Sequence, residues 1–262
     1  MSRPVVRRAA TLLVALAGLA GAAAPLAAQP RVAPTHAYSL NGSLAESAGG
    51  PALESMGGSV GSTGYAFAPG QGLRLSGLTG GVYSIEMVFA LERVTGYRKV
   101  LDFDDRQSDD GFYVQNGWAT FYRNGAVSSD AALFAGGTSA HLVLTRDADK
   151  RITAYVDGVQ ALSFVDTYDT GAFGTGGFLH LLVDDRSTGY EQAAGFLDWA
   201  RVYDRALTGE QVRDRFARGD DPLGGDTPPP VTTTPEPATV ALMGAGLLAL
   251  CLAARRRRPA AA

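Results

Sequence analysis

Cysteine and histidine are scarce in this 262-residue chain, which contains one cysteine and three histidines. Cys251 lies in an apolar run near the C-terminus, so the central part of the chain has no thiol and no disulfide. Its stability must therefore come from a hydrophobic core, for which about 180 residues are ample. His36, His141 and His180 are too scattered to form a zinc site. We expect His141 and His180 to be strand residues at sheet surfaces.

Basic residues are also scarce once the two ends are set aside. Of the 23 Lys and Arg residues, three lie within the first eight positions and four lie at 255–258, which leaves 16 against 26 Asp and Glu. Binding to phosphate needs clustered Lys and Arg. The acidic balance therefore argues against nucleic acid and anionic membrane surfaces as partners.

The N-terminus has the order of a secretory signal peptide. Arg3, Arg7 and Arg8 precede an apolar stretch from Ala9 to Ala24, and small residues follow up to Ala28. We predict a signal peptide over residues 1–28 with cleavage near Ala28, and therefore export. A permanent N-terminal anchor is the alternative, and the export route, Sec or Tat, stays open.

The C-terminus combines a short motif, an apolar run and a basic end. Seventeen residues at 238–254 would form a helix of ~25 Å, which just spans a thin hydrocarbon core. The flanking residues are Pro235, Glu236 and Pro237 before the run, and Arg255, Arg256, Arg257 and Arg258 after it. Residues 235–258 resemble the PEP-CTERM sorting signal. An ordinary anchor with a chance motif is the alternative.

That resemblance implies a partner and a destination. In this class, a membrane-embedded exosortase recognises the Pro-Glu-Pro element and removes the anchor after export. We therefore expect transient anchoring in the inner membrane through residues 238–254. The cell surface or extracellular matrix of a Gram-negative bacterium would then be the final location.

The segment from His36 to Arg218 predicts an all-β domain. Along Tyr83–Leu91, alternate residues are apolar, as expected for a strand, and Val88 indicates cover on both faces. Hairpin turns are predicted at Asp157-Gly158, Asn116-Gly117 and Asn124-Gly125, since these pairs tolerate positive φ. Successive hairpins favour an antiparallel two-sheet sandwich.

One short helix is predicted at the end of this domain. Thr208 and Gln211 form a capping box, and Leu207 and Val212 form a hydrophobic staple. Gly219 is expected to end the helix. Residues 219–234, rich in Pro, Gly and Thr, are interpreted as an extended linker.

Several segments together resemble the laminin G-like or concanavalin A-like jelly roll. They are residues 141–147, the Tyr-Val-Asp-Gly hairpin ending at Gly158, and the closing strand and turn at 195–208. The fold hosts lectins, adhesion modules and glycoside hydrolases, so it does not select a function. Hydrolases that resemble it carry Glu-x-Asp-x-x-Glu on one strand. Here Glu86 and Glu92 would lie ~20 Å apart, too far for either hydrolytic mechanism.

Aspartates in two segments are the candidate metal ligands. They occur at Asp102, Asp104, Asp105, Asp109 and Asp110, and again at Asp184 and Asp185. Hard oxygen ligands from two loops suit Ca²⁺. Many domains of the jelly-roll family that this chain resembles bind one calcium at the rim of the sandwich. We expect Asp109, Asp184 and Asp185 to be calcium ligands, and Asp110 is the next candidate, the reserve ligand. The alternative is a set of solvated turn aspartates.

Aromatic residues divide into core and surface candidates. Trp118 and Trp199 are expected in the core, whereas Tyr97 and Tyr190, flanked by Gly and polar residues, are candidate sugar-stacking residues. The sequence therefore predicts a non-catalytic exported protein whose jelly roll mediates adhesion or association with exopolysaccharide. A divergent glycoside hydrolase or lyase, and a structural matrix protein without a ligand, are the alternatives.

Overall fold

A computed structural model describes residues 32–186 and 189–219 of the protein. The chain divides into two units, Met1–Val32 and Ala33–Ala262, and all elements of the described residues lie in the second. The predicted signal peptide, the linker after Gly219 and the sorting signal lie outside the described residues. Within the described ranges, no helix has both the length and the apolar character needed to cross a membrane.

The described residues form two antiparallel sheets and one helix. The strands are β1 (His36–Tyr38), β2 (Glu54–Ser55), β3 (Ser59–Gly61), β4 (Gly64–Phe67), β5 (Leu73–Leu75), β6 (Tyr83–Leu91), β7 (Tyr97–Asp102), β8 (Gly111–Gln115), β9 (Trp118–Tyr122), β10 (Ala126–Ala132), β11 (Ala140–Arg146), β12 (Arg151–Val156), β13 (Val159–Val165), β14 (Leu179–Leu181) and β15 (Gly195–Tyr203). The helix is α1 (Gly209–Arg218).

The strand order confirms the predicted jelly-roll sandwich. Sheet A has the order β13–β12–β11–β6–β15–β4–β3, and β1 also pairs with β15. Sheet B has the order β10–β9–β8–β7–β14–β5–β2. One hydrophobic core is built from the inward residues of both sheets, as expected for a sandwich.

Strand β6 lies at the centre of sheet A and is covered on both faces, as predicted. Tyr83 and alternate residues up to Leu91 enter the core. Glu86 points to the other face but is fully buried, because the guanidinium of Arg215 on α1 lies 3.4 Å from its carboxylate. The helix therefore seals part of the outer face of sheet A.

The turns follow the predicted chemistry. Asp157 and Gly158 both have positive φ, 50° and 77°, in the β12–β13 hairpin. Asn116-Gly117 and Asn124-Gly125 likewise have positive φ between β8 and β9 and between β9 and β10. A Cβ on Gly158 would lie 3.1 Å from Phe216, so this glycine also lets α1 approach the hairpin.

Helix α1 begins and ends where the sequence predicts. The Thr208 side chain accepts a hydrogen bond from the Gln211 amide, and the Gln211 side chain accepts one from the Thr208 amide. Leu207 and Val212 are both buried, and Gly219 adopts the left-handed conformation with φ 58°. These caps satisfy backbone groups that a helix of three turns would otherwise leave exposed.

Three predictions of burial were wrong. Trp118, expected in the core, is 39% exposed because Ala119 and Phe121 of β9 enter the core, which turns Trp118 to the outer face of sheet B. His141 and His180 lie on strands β11 and β14, as expected, but both are buried rather than at exposed sheet surfaces. Each is covered by a segment distant in sequence, α1 over His141 and the β7–β8 loop over His180, through Phe216 and Asp105 respectively.

Candidate functional site

The candidate site is built around Lys99 and Tyr113, which are register partners on β7 and β8. Phe112 and Val114, the neighbours of Tyr113, enter the core, so Tyr113 points to the outer face of sheet B. Lys99 donates a 2.7 Å hydrogen bond to the Tyr113 phenol oxygen. Both side chains are nevertheless buried, which requires a cover over this face.

The cover is the segment between β14 and β15. The Lys99 amide donates to the Glu191 carbonyl at 3.1 Å, and the Leu182 amide donates to the Val100 carbonyl at 2.8 Å. Arg98 holds the same segment by donating to the carbonyl of Gln192 at 2.9 Å. The β14–β15 segment is thereby fixed beside β7, with the β7–β8 loop next to it.

Three carboxylates from these two loops meet at this point. One ligand oxygen each from Asp109, Asp185 and Glu191 lies within 4.8 Å of the other two. We call these three residues the acidic cluster. Asp185 is buried, whereas Asp109 and Glu191 are half-buried. Two of the three predicted calcium ligands, Asp109 and Asp185, are therefore brought together, and Glu191 was missed by the sequence analysis.

Asp184, the third predicted ligand, supports the acidic cluster from outside it. One of its carboxylate oxygens accepts a 3.0 Å hydrogen bond from the Asp185 amide, and the other accepts one of 3.0 Å from the Glu191 amide. These bonds fix the backbone that carries both cluster residues. Asp110, the reserve ligand, is half-buried and does not belong to the group of three.

The acidic cluster places like charges together with one nearby ammonium. The Lys99 Nζ lies 3.8 Å from Asp185 and 3.4 Å from Asp102. Burial and the neighbouring Asp109 raise the pKa of the Glu191 carboxyl to about 7. Burial and Asp185 raise the pKa of Asp109 above its usual range. The protonated forms of Glu191 and Asp109 are therefore favoured over their usual range, as expected where carboxyl groups are buried together.

A second layer of charge lies under the β7–β8 loop. Asp102 is fully buried and accepts hydrogen bonds from the amides of Arg106 and Asp104, at 2.8 and 3.2 Å. Burial raises its pKa. His180, its register partner on β14, has a pKa lowered to about 4 by burial. Neutral His180 therefore adds no positive charge to the site near pH 7.

The two predicted sugar-stacking tyrosines lie beside the acidic cluster. Tyr190, which precedes Glu191, is 89% exposed. Tyr97 is half-buried and packs edge-on against Tyr113, with ring centroids 5.7 Å apart. Tyr113 in turn donates a 2.6 Å hydrogen bond to the Asp109 carbonyl. The described contacts thus connect both tyrosines to the loops that hold the carboxylates.

The donor set fits a hard divalent cation. It consists of carboxylate oxygens from two loops, and one oxygen of Glu191 is buried without a hydrogen-bond partner among the described residues. Calcium takes six to eight such oxygen ligands, with water completing the set. Glu191 was missed because it is a single acid in a Gly- and Gln-containing stretch, and only the fold of the β14–β15 segment turns it toward Asp109.

Comparison with protein families identifies the domain. The sequence profile of the concanavalin A-like lectin/glucanases superfamily matches residues 60–213, which is more than half of the chain. The chain belongs to the concanavalin A-like superfamily. In this superfamily member, the profile of the PEP-CTERM protein-sorting motif also matches residues 233–258, confirming the resemblance seen at the C-terminus. No curated protein matches the chain significantly.

Solved structures share the concanavalin A-like fold at low identity. A Trypanosoma rangeli sialidase, solved with 2,3-difluorosialic acid as a covalent intermediate, is 19% identical over 73% of this chain and 33% of that chain, with TM-score 0.56. The binding domain of botulinum neurotoxin serotype D is 10% identical over 70% and 50% of the two chains, with TM-score 0.52.

A third similar structure is domain 4 of an extracellular arabinanase from Geobacillus stearothermophilus, solved with arabinotriose. It is 22% identical over 68% of this chain and 96% of that chain, with TM-score 0.48. The chain spans about a third of the sialidase and half of the toxin domain. At 19% and 10% identity, the similarity to the sialidase and to the toxin domain concerns the fold alone.

Proposed function

We propose that this protein is a non-catalytic, exosortase-processed surface or matrix protein whose jelly-roll domain associates with carbohydrate in a calcium-dependent manner. The observation that carries the proposal is the acidic cluster, in which Asp109, Asp185 and Glu191 meet within 4.8 Å beside the exposed Tyr190. The sorting motif supports delivery to the surface by way of the inner membrane. Export, retention and adhesion are parts of this one proposal.

Calcium would serve to organise the loops. Bound to the acidic cluster, the cation would balance the negative charge of Asp109 and Glu191, whose pKa values are raised. It would also join the β7–β8 loop to the β14–β15 segment. Asp184 would act as a supporting residue through its bonds to the Asp185 and Glu191 amides. The ring of Tyr190 would then have a fixed position for stacking on a sugar.

A glycoside hydrolase is the second candidate function, and one observation favours it. Glu191, with a pKa of about 7, has the protonation behaviour of a general acid, and two carboxylates lie beside it. However, the carboxyl groups of retaining hydrolases lie about 5–5.5 Å apart and those of inverting ones farther apart. Here one oxygen from each of three acids lies within 4.8 Å of the others, and such a group of hard ligands suits a shared cation better than a pair of hydrolytic acids. A structural matrix protein without a ligand is the third candidate.

The proposal is tested by binding of neutral and acidic polysaccharides to the full chain in a detergent without a sugar headgroup, with calcium or with a chelator. We expect binding with calcium that chelation abolishes and that Asp109→Asn weakens at least tenfold. Asp130→Asn, which changes an exposed aspartate on β10, is the matched control. Failure to bind any polysaccharide in either condition would remove the carbohydrate proposal.

The same samples separate the hydrolase from the binding protein. We expect no release of reducing sugar from any bound polysaccharide. Release that Glu191→Gln abolishes would establish the hydrolase instead. If the protein neither binds a polysaccharide nor releases reducing sugar, the structural matrix protein is favoured.

A further inference from the structure

A cavity of about 390 Å³ opens on the outer face of sheet A, beside helix α1. Its lining residues come from β6, β11, β15, the β12–β13 turn and the helix, and include Val88, His141, Asp157, Asp198, Trp199 and Phe216. This volume is in the range of small-molecule sites in proteins. None of these residues belongs to the acidic cluster, whose three residues lie in loops beside sheet B.

The floor of the cavity is held by a buried charge network centred on Glu86. One carboxylate oxygen of Glu86 lies 2.9 Å from His141 Nε2, and the other accepts from the Tyr203 hydroxyl. Arg215 and Arg201 lie 3.4 and 3.6 Å from the same carboxylate. Burial alone would raise the pKa of Glu86, but the His141 hydrogen bond and the two arginines lower it. Glu86 is therefore a carboxylate, and it orients His141.

His141 presents an uncommitted nitrogen in this setting. The side chain is 7% exposed, and its Nδ1 has no hydrogen-bond partner among the described residues. Because the Glu86 carboxylate can only accept, the hydrogen bond between them places a proton on His141 Nε2, and in the tautomer that this bond fixes, Nδ1 is an acceptor. A buried acceptor without a partner costs free energy, which a donor from a ligand would recover.

The walls combine acceptors with an apolar surface. Asp157 accepts a 2.9 Å hydrogen bond from the His141 amide through one oxygen. Asp198 has no ion pair among the described residues, and burial raises its pKa. Phe216 is 45% exposed and stacks on the His141 ring, with centroids 5.9 Å apart. The cavity thus offers three acceptor groups next to one accessible aromatic ring.

The charges around the cavity favour a neutral ligand. Two carboxylates, Asp157 and Asp198, disfavour an anion, and the guanidinium of Arg215, which is paired with Glu86, brings positive charge to the same wall. A ligand that donates several hydrogen bonds and also has an apolar face matches the acceptors and Phe216. Sugars have this combination, with hydroxyl donors around the ring and C–H groups on its faces.

We propose that this cavity binds one neutral sugar residue, with hydroxyl groups donating to Asp198, Asp157 and His141 Nδ1 and a ring face packing on Phe216. The choice of ligand class rests on the proposed carbohydrate association, but the site is separate and needs no calcium. Glu86 acts as a positioning residue that sets the tautomer of His141.

The test is titration of the full chain with free neutral monosaccharides and their methyl glycosides, in a detergent without a sugar headgroup and with a chelator present. Binding is followed by calorimetry, and the ¹⁵N resonance of His141 Nδ1 is followed by NMR. We expect at least one sugar to bind and to shift that resonance. Asp198→Asn should weaken binding at least tenfold without changing the melting temperature, since its side chain is partly exposed. Phe216→Ala should also weaken binding at least tenfold, and because Phe216 packs on His141, its fold is checked by circular dichroism at the temperature of the titration.

The matched controls are Asp204→Asn and Tyr190→Ala, two exposed residues outside the cavity, and both should bind the sugar like the wild type. The inference is overturned if no sugar binds, or if a sugar binds equally well to both cavity variants. Calcium-dependent polysaccharide binding alongside such a result would leave the proposed function intact. Sugar binding that Tyr190→Ala abolishes would instead assign the sugar to the acidic cluster and overturn this site.

Discussion

Lys99 donates a 2.7 Å hydrogen bond to the phenol oxygen of Tyr113 across β7 and β8, with both side chains buried on the outer face of sheet B. The same ammonium lies 3.4 Å from Asp102 and 3.8 Å from Asp185. The Lys99 ammonium therefore lies near both the Asp102 and the Asp185 carboxylates, while the pKa values of Glu191 and Asp109 stay raised. This arrangement is the basis for the proposal that the acidic cluster takes up a cation.

Calcium should stabilise the domain. If the acidic cluster binds the ion, excess calcium raises the free energy of unfolding by mass action, by about 2.7 kcal/mol at one hundred times the dissociation constant. The melting temperature therefore rises, and chelation reverses the effect. Asp109→Asn should remove most of the response, and Asp130→Asn should keep it. Differential scanning calorimetry measures both. An identical melting curve with calcium and with chelator would sink the calcium proposal.

Glu191 should make stability depend on pH near neutrality. Its pKa is raised from 4.5 to about 7 in the folded state, so its contribution is fully present below about pH 4.5 and is lost as pH rises through 7. Without calcium, the wild type should therefore lose stability relative to Glu191→Gln between about pH 5 and about pH 8. The pKa of His180, lowered to about 4, acts in the opposite direction but is common to both proteins.

With calcium present, the wild type should become more stable than Glu191→Gln at high pH, the reverse of the order without calcium. Since the metal binds deprotonated Glu191, its affinity should rise as pH passes 7. Chemical denaturation of the wild type and of Glu191→Gln, across the pH series and with or without calcium, provides the measurement. A constant difference between the two proteins at all pH values would show that Glu191 does not titrate as described.

Lys99→Met should be destabilising, and calcium should reduce the loss. Removing one partner of a buried ion pair typically costs about 3–5 kcal/mol, because the other charges stay buried. Urea unfolding with a chelator should show a loss of about this size, and calcium should restore more stability to the variant than to the wild type. Lys150→Met is the control, since Lys150 and its partner Asp169 are both half-exposed, and it should cost less than about 1 kcal/mol.

The sorting motif makes a prediction for processing. In a host that contains exosortase, Glu236→Ala should leave the apolar tail attached, because the Pro-Glu-Pro element is what the enzyme recognises in this class of tail. Mass spectrometry should find the mature protein heavier by the retained tail and located in the membrane fraction. Pro229→Ala, in the linker, should be processed like the wild type. Normal processing of Glu236→Ala would overturn the role of the motif, whereas a wild-type protein that keeps its tail in this host would favour an ordinary anchor.

Much of the fold could be predicted because it rests on local rules. The alternation along Tyr83–Leu91, the Asp157-Gly158 turn and the Thr208–Gln211 capping box each depend on a few consecutive residues, and each has its predicted form. The prediction for Trp118 was wrong because membership of a strand does not tell which face of the sheet a residue lies on, and Trp118 lies on the face opposite Ala119 and Phe121. Burial at that point depends on neighbours from other strands.

The candidate site was only half predictable from sequence. Asp109 and Asp185 were expected because aspartates in two loops suit calcium, and the structure brings them together. Asp184 proved to be a supporting residue, since its carboxylate is occupied by two backbone amides. Glu191 entered the site because the β14–β15 segment folds back on β7, a contact between residues about ninety positions apart.

Local patterns in the chain were enough for the all-β class, the hairpins, the capped helix, the acidic domain and the sorting motif, because each depends on neighbours in sequence. Only the folded state determines which carboxylates share a site, that Lys99 lies among them, and that His141, oriented by Glu86, lines a cavity beside α1. The reason is physical: charge and hydrogen-bond partners act through distance in space, and the pairing of strands decides which residues are near.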